Sequence, residues 1–308
     1  MNGFTMQQTT FPFVCVIIDD ASTDGEQKVV KKYLQKYFDC DDTTVVRREE
    51  TDDYTMTFAQ HRENKNCYFA VYFLKYNHYS IKKSKKTYFS EWDDNAKYSA
   101  LCEGDDYWID ALKLQKQTTI MEVDNNVVLV YTGFQLCGEV KKSDKNFYSK
   151  NQEVFSRSGD IFPFLLERNF IQTLTVCYRE SAMNNSLYET CPTKMDYNLF
   201  LALASVGSVY YLRDKTSCYR INPEGFVRSR TVEVKKNVHV IRNFYVKSYL
   251  EGYVLKRQGY DEKIIYGNAA KLTPFNRNFP FQYWPISLFC NCISMMKSWV
   301  KLLLLKRE

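Results

Sequence analysis

Asp105 and Asp106 follow the segment Lys97-Tyr98-Ser99-Ala100-Leu101-Cys102 by way of Glu103-Gly104. Two adjacent carboxylates repel one another in the absence of a cation. Hard oxygen donors of this kind favour Mg²⁺ or Mn²⁺, with phosphate oxygens and water completing the coordination. An ion held there would offset the negative charge that builds on a departing diphosphate. The plainer reading of Gly104-Asp105-Asp106 is a solvated turn, because glycine and aspartate dominate such loops. A second acidic cluster, Asp19-Asp20-Ala21-Ser22-Thr23-Asp24-Gly25, ends the apolar run Phe13-Val14-Cys15-Val16-Ile17-Ile18. His61, His78 and His239 are too few and too dispersed for a histidine metal site or a triad, which leaves the chemistry to carboxylates.

The elements that position these clusters follow from hydrophobic periodicity. The run at residues 13–18 has the length and β-branching of a buried strand, and Asp19 to Gly25 supplies turn and N-cap residues. Val29, Val30, Tyr33, Leu34 and Tyr37 then fall on one face at helical spacing. The pattern recurs with a strand at 97–102, the acidic loop, and a helix from about Asp110. Both aspartate pairs therefore stand at the carboxyl ends of strands, where open α/β sheets place ligands. Further strands are expected at 127–131, 174–178, 209–212 and 215–221, with helices at 161–166, 196–206 and from 232 to about 256. Residues 68–94, rich in Lys, Tyr and Phe, read as an insertion packed beside the sheet. Their run Lys82-Lys83-Ser84-Lys85-Lys86 reads as a solvated loop rather than a phosphate site.

With 308 residues, 45% of them hydrophobic, the chain can bury a full core, which excludes wholesale disorder. The 24 Tyr and 21 Phe suit surfaces that stack on ring-shaped ligands as well as a core. A net charge of +6 is spread among mixed acidic and basic residues without a basic stripe, which argues against nucleic acid as a partner. The ten cysteines show no zinc-type spacing, and with no signal peptide they are expected to be reduced thiols of a cytoplasmic protein. The stretch 286–305 is apolar but interrupted by Lys297 and Lys301. It suits an amphipathic helix lying on a membrane surface, packing on a partner, or docking on the protein's own core.

The string Cys102-Glu103-Gly104-Asp105-Asp106-Tyr107-Trp108, followed by Lys113-Leu114-Gln115-Lys116-Gln117, closely resembles the donor and metal motif of family 2 glycosyltransferases of the GT-A fold. In that family Asp-Asp-x-Ser-x-Asp-Gly after a strand binds the nucleoside, and residues 19–25 match it position by position. The resemblance implies that Asp19 and Asp20 belong to the nucleoside site, with Asp20 contacting the base. It also implies that Asp105 faces the ribose and that Asp106 holds Mn²⁺ or Mg²⁺. By the same resemblance Asp196, in Thr193-Lys194-Met195-Asp196-Tyr197-Asn198-Leu199, is the base that deprotonates the acceptor hydroxyl; its plain alternative is a helix N-terminal acid favoured by the macrodipole. Cys218-Tyr219-Arg220-Ile221-Asn222 resembles a segment near the diphosphate, so Arg220 is expected either on phosphate or in a salt bridge. Asn222 stands where many relatives carry histidine. Gln172-Thr173-Leu174-Thr175 resembles the acceptor-side strand, so Thr173 is expected either against a sugar or packed and satisfied locally.

The implied fold is α/β: a GT-A, Rossmann-like mixed sheet flanked by helices over residues 1–231, with a helical C-terminal extension over 232–308, membrane-associated at 284–308 if its terminal helix lies on a bilayer. The implied activity is inverting transfer from a nucleotide-sugar donor, UDP-sugar by the family pattern, to a glycan or lipid-linked glycan acceptor in bacterial surface polysaccharide synthesis. Family members carry a strand, a loop and a helix ahead of the segment that here is Gln7-Gln8-Thr9-Thr10-Phe11-Pro12-Phe13, and residues 1–6 correspond only to the end of that helix. The expectation is an N-terminally incomplete domain without its central strand. That motivates the alternative of a non-catalytic nucleotide-sugar binding protein. A Mg²⁺-dependent phosphohydrolase is a third reading, weakened by the lack of a clear lysine and threonine partner arrangement.

Overall fold

A computed structural model describes residues 1–40, 46–222, 231–256 and 262–272. A short helix α1 (Asn2–Thr5) precedes strand β1 (Phe13–Asp19) and helix α2 (Glu26–Tyr37). Strands β2 (Arg47–Glu50), β3 (Tyr54–Gln60) and β4 (Cys67–Leu74) follow, then α3 (Lys86–Asp93), β5 (Tyr98–Ala100), β6 (Tyr107–Trp108), α4 (Lys113–Val123) and β7 (Val127–Gly138). Beyond these lie α5 (Lys142–Lys150), α6 (Phe162–Glu167), β8 (Cys177–Arg179), α7 (Ser186–Thr190), α8 (Asp196–Val206), β9 (Ser208–Ile221), α9 (Thr231–Leu250) and α10 (Glu262–Leu272). The result is an α/β protein with mixed sheets flanked by helices.

The strands form two sheets, ordered β1-β4-β3-β2 and β5-β8-β7-β9-β6. In the first, β1 runs parallel to β4 and the other pairs are antiparallel; in the second, β7 and β9 are parallel. The single sheet expected from the sequence is thus divided, with β1 and β5 as end strands of separate sheets. Burial follows from this position. The apolar β1 is mostly half-buried, with Val14 37% exposed, whereas β4, flanked on both sides, is buried almost throughout. The two ends are nonetheless neighbours, since the Cys15 and Cys102 thiols lie close enough to interact electrostatically.

Strand β4 corrects the reading of residues 68–94 as an insertion. Tyr68 to Leu74 belongs to the sheet itself, paired with β1 and β3, and only the stretch from Lys75 through α3 is appended to it. The run Phe69-Ala70-Val71-Tyr72-Phe73-Leu74 is a buried strand whose tyrosines disguise it. A second correction concerns the closing strands: 209–212 and 215–221 are one strand, β9, whose register against β7 shifts where Thr132 pairs with Leu212 and Gly133 with Lys215. The bulge brings the Arg213 carbonyl to 3.0 Å from where a Cβ on Gly133 would stand, a tight approach that a larger residue would relieve only by shifting that backbone. On helix α2, Val30 and Leu34 face inward as expected, but Val29 is 60% exposed.

The main core surrounds α8, where Tyr197 to Ser205 are buried on every face. Helices α6 and α9 cover α8 with Phe162, Leu165, Ile241 and Tyr245, α10 packs on α6 and α9 with Ile265 in the same core, and Leu129 and Tyr131 of β7 close the other side. A helix apolar all round must be surrounded in this way, which fixes the start of α8, and Asp196 with it, at a reproducible place. Helix α9 ends at Leu250, a turn and a half short of the expected 256. The expectations for residues 273–308, including the apolar stretch, fall outside the described residues. Among those described, no helix is long and apolar enough to cross a membrane.

Candidate active site

At the carboxyl end of β1, Asp19 is only 5% exposed. Its Oδ2 accepts from the Ser22 N–H at 3.2 Å and from Gln27 Nε2 at 2.6 Å, while Oδ1 is buried without a partner. A buried acceptor left unsatisfied is uncommon and marks a place where a donor would be favourable. Asp20 is engaged instead with the chain beyond β4: Oδ1 accepts from the His78 N–H at 2.7 Å, and Oδ2 from the Tyr79 N–H at 3.1 Å and Lys85 Nζ at 3.0 Å. These donors outweigh partial burial and hold its carboxyl below the usual range. The lysine run is exposed nearly throughout, as expected of a solvated loop, and its lysines also form ion pairs, Lys83 with Asp53, Lys85 with Asp20 and Lys86 with Glu189.

The loop after Asp20 turns sharply at Ala21, whose φ of 57° lies in the left-handed region. That conformation costs an alanine about 1–2 kcal/mol, more than the roughly 0.4–1 kcal/mol that glycine loses through greater freedom when unfolded. Ala21→Gly is expected to stabilise the protein by about 0.5–1 kcal/mol, read as a higher midpoint in urea.

The second acidic loop runs from β5 into β6. Asp106 turns back on itself through an N–H donated to the Glu103 carbonyl, and its Oδ1 accepts the Arg220 N–H from β9 at 2.7 Å. Burial pushes the Asp106 carboxyl up to about 6, opposed by that N–H and reinforced by the charge of Asp105, which is itself exposed. Arg220 thus joins the site through its backbone, with its guanidinium over the Tyr107 ring at 5.9 Å. The loop is braced from beneath. Trp108 is buried, donates Nε1–H to the Leu174 carbonyl at 3.0 Å and meets Phe4 edge-on at 4.8 Å. Helix α1 approaches so closely that a Cβ on Gly3 would stand 2.6 Å from the Trp108 carbonyl.

Lys113 completes this support. Fully buried, its Nζ donates to Gln117 Oε1 at 2.7 Å and lies 4.4 Å from the Trp108 ring centre. Burial pulls its pKa from 10.5 down to about 8. A base whose folded pKa is depressed penalises folding at neutral pH, here by roughly 3 kcal/mol, and the penalty fades as pH rises from 8 to 10.5. The difference in unfolding free energy between wild type and Lys113→Met is therefore expected to move toward wild type by roughly that amount between pH 7 and pH 10.5. The lost bond to Gln117 is a pH-independent offset. Urea titrations at several pH values read the trend, and a constant difference would refute it.

Across from the acidic loop, Asp196 opens α8. Its Oδ1 accepts the Tyr197 N–H at 2.7 Å and its Oδ2 the Thr173 hydroxyl at 3.0 Å. Burial raises its carboxyl above the ordinary value against both donors. Thr173 also hydrogen-bonds Glu103, whose carboxyl is pushed up to about 7, first by desolvation and then by the charges of Asp106 and Asp196. By accessible surface Glu103 is exposed, with Asp106, Asp196 and Thr173 as its neighbours. The structure thus brings Glu103, Asp106, Thr173 and Asp196 into one electrostatic group, with Asp105 and the Arg220 backbone beside Asp106. Asp19 and Asp20 stand separately, at the end of β1.

Among the described residues, no three His, Cys, Asp or Glu side chains are arranged to hold a metal ion. The donor set suits the other common arrangement, in which one or two carboxylates share Mg²⁺ or Mn²⁺ with substrate phosphates. A shallow depression lined by Thr5, Gln8, Thr10, Glu63, Asn64 and Gln115 lies at the opposite, N-terminal end of β1 and contains none of these carboxylates. The eight described cysteines are all free thiols. Glu103 had no assigned role, although it stands inside the quoted motif, and Thr173, expected against a sugar or satisfied locally, bonds Asp196.

Fold and site together define an α/β protein with acidic loops at strand ends. No protein-family model matches the chain. Over 239 residues, 77% of its length, it is 26% identical to an uncharacterized protein of Mycobacterium bovis and, equally, to uncharacterized proteins of two strains of Mycobacterium tuberculosis. The chain spans 58% of the length of these relatives.

Proposed function

We propose that the chain is an inverting glycosyltransferase of the GT-A fold, moving a sugar from a UDP-sugar to a hydroxyl of a glycan or lipid-linked glycan acceptor in bacterial surface polysaccharide synthesis. The observation that carries this reading is that Asp196 meets the acidic loop of Glu103 and Asp106, far earlier in the chain, through the Thr173 hydroxyl and the charge of Glu103. Transfer needs a base for the acceptor proton and a means of bearing charge on the leaving group, and this group contains both kinds of carboxylate. Asp196 takes the acceptor proton as that oxygen attacks the anomeric carbon. The bond from that carbon to the diphosphate oxygen breaks, and the diphosphate leaves with the electron pair. Asp106, with phosphate oxygens, would hold Mn²⁺ or Mg²⁺, which offsets the charge on the leaving diphosphate. Asp105 faces the ribose, Arg220 lies beside the phosphates, and Asp19 and Asp20 serve the nucleoside, where the unpartnered Asp19 Oδ1 awaits a donor.

The division of the sheet between β1 and β5 favours a second reading, a nucleotide-sugar binding protein without turnover, because β1 carries the nucleoside loop from an end position. Nucleotide release from UDP-glucose, UDP-galactose and UDP-N-acetylglucosamine with Mn²⁺, using wild type, Asp106→Ala and Asp196→Ala, tests both. Release lost in both variants is the expected result. Mn²⁺-dependent donor binding without release supports the second reading. Hydrolysis of simple phosphomonoesters contradicts both.

A further inference from the structure

Thr173, Leu174 and Thr175 form a single turn of 3₁₀ helix that is pinned from three directions. The Leu174 carbonyl accepts from Trp108 Nε1, at the end of the acidic loop, and from the Ser217 hydroxyl on β9, each at 3.0 Å. The Thr175 carbonyl accepts Gln117 Nε2 from α4 at 2.8 Å, and that same amide also reaches the Val130 carbonyl on β7. So short a turn has little rigidity of its own. Its clamps come from elements of the acidic-loop side, yet the side chain it presents goes to Asp196.

We propose that Thr173 is the positioning residue for the Asp196 carboxylate, fixing its plane from a turn locked to the acidic loop. This rests on the reading of Asp196 as the base. A carboxylate has two oxygens, and here the Tyr197 N–H donates to Oδ1 and the Thr173 hydroxyl to Oδ2, with the backbone N–H of Asp196 itself as a further local donor. Tyr197 N–H is adjacent in sequence and rotates with the helix start; Thr173 is the long-range restraint. Its hydroxyl carries one proton, which the 3.0 Å contact gives to Asp196, with Glu103 as the competing acceptor on the same hydroxyl. Glu103 is the charged group facing Asp196 across this hydroxyl. The nearby Lys194 ammonium is turned away onto the Tyr188 and Glu189 carbonyls.

A hydroxyl that donates to the ionised form favours that form, so its removal makes the carboxylate harder to generate as well as less well aimed. In the full chain with Mn²⁺, Thr173→Val is expected to lower kcat for nucleotide release from the UDP-hexose turned over fastest by roughly 10–100-fold at neutral pH, with KM for the donor little changed. The acidic limb of its pH profile shifts to higher pH, so part of the loss is recovered in alkaline buffer. Thr173→Ser restores most of the rate. A ¹³C-carboxyl titration of Asp196, assigned with Asp196→Asn, reads the same effect without turnover: the midpoint rises in Thr173→Val and returns in Thr173→Ser. An unchanged midpoint and limb, or a loss equal at every pH that serine fails to rescue, overturns the proposal. If Asp196→Asn keeps the wild-type rate, the reading of Asp196 as base fails instead, a result separate from any outcome at Thr173.

Discussion

Asp196→Asn is expected to lower kcat for sugar transfer by about 10²–10⁴-fold, the usual contribution of a positioned general base, while donor affinity stays near wild type. Asparagine matches aspartate in shape and keeps one acceptor oxygen, enough for either Tyr197 N–H or the Thr173 hydroxyl, while its amide NH2 faces the other, and the apolar packing around α8 is untouched. What disappears is the ability to take a proton. Because burial raises the Asp196 carboxyl, the fraction of active base in wild type falls as pH drops through that raised value. The acidic limb of the rate profile should therefore stand above the ordinary carboxylate range. Steady-state kinetics with donor titrations separate this loss from a binding defect; a fall in kcat/KM arising wholly from KM would contradict it.

Asp106→Asn carries the second large effect, on binding rather than on proton transfer. Removing the carboxylate that shares a divalent ion with the diphosphate is expected to weaken Mn²⁺-dependent UDP binding by about 10²–10³-fold, the range of several kcal/mol for such charge stabilisation. Metal-independent binding should change little. Since burial places the wild-type carboxyl near 6, and only the ionised form binds a cation, Mn²⁺-dependent affinity should decline as pH falls through 6 and level off above 7. Calorimetric titration of UDP with and without Mn²⁺ measures both trends. Equal Mn²⁺ dependence in wild type and variant would remove Asp106 from the metal site.

Much of this arrangement is legible in the sequence where the signal is local. The β-branched run at residues 13–18 gives β1, the largely apolar α8 announces its own burial, and both aspartate clusters stand at strand ends as their turn residues suggest. Signals fail where identity and environment part company. Strand β4 is concealed because Tyr68 and Tyr72 look like surface residues until β1 and β3 pair on either side. Strand β9 looks broken because Arg213-Asp214 interrupts the apolar pattern, although a bulge absorbs them. The ion pairs of the lysine run are hidden because its carboxylate partners, Asp53, Asp20 and Glu189, are remote in sequence. The links of Thr173 to Asp196 and Glu103 are hidden for the same reason: contacts between residues far apart in the chain leave no trace in spacing. Asp20 shows the converse, a residue with a clear motif whose carboxylate anchors the chain after β4.

The most direct measurement is diffraction from crystals holding UDP and Mn²⁺, collected where manganese scatters anomalously. The account predicts one manganese peak within roughly 2.5 Å of an Asp106 oxygen and of the diphosphate, the base near Asp19 and Asp20, and the Asp196 carboxylate facing the end of the diphosphate where a sugar would attach. Manganese bound elsewhere, or a diphosphate lying away from Asp106 and Asp196, would contradict it.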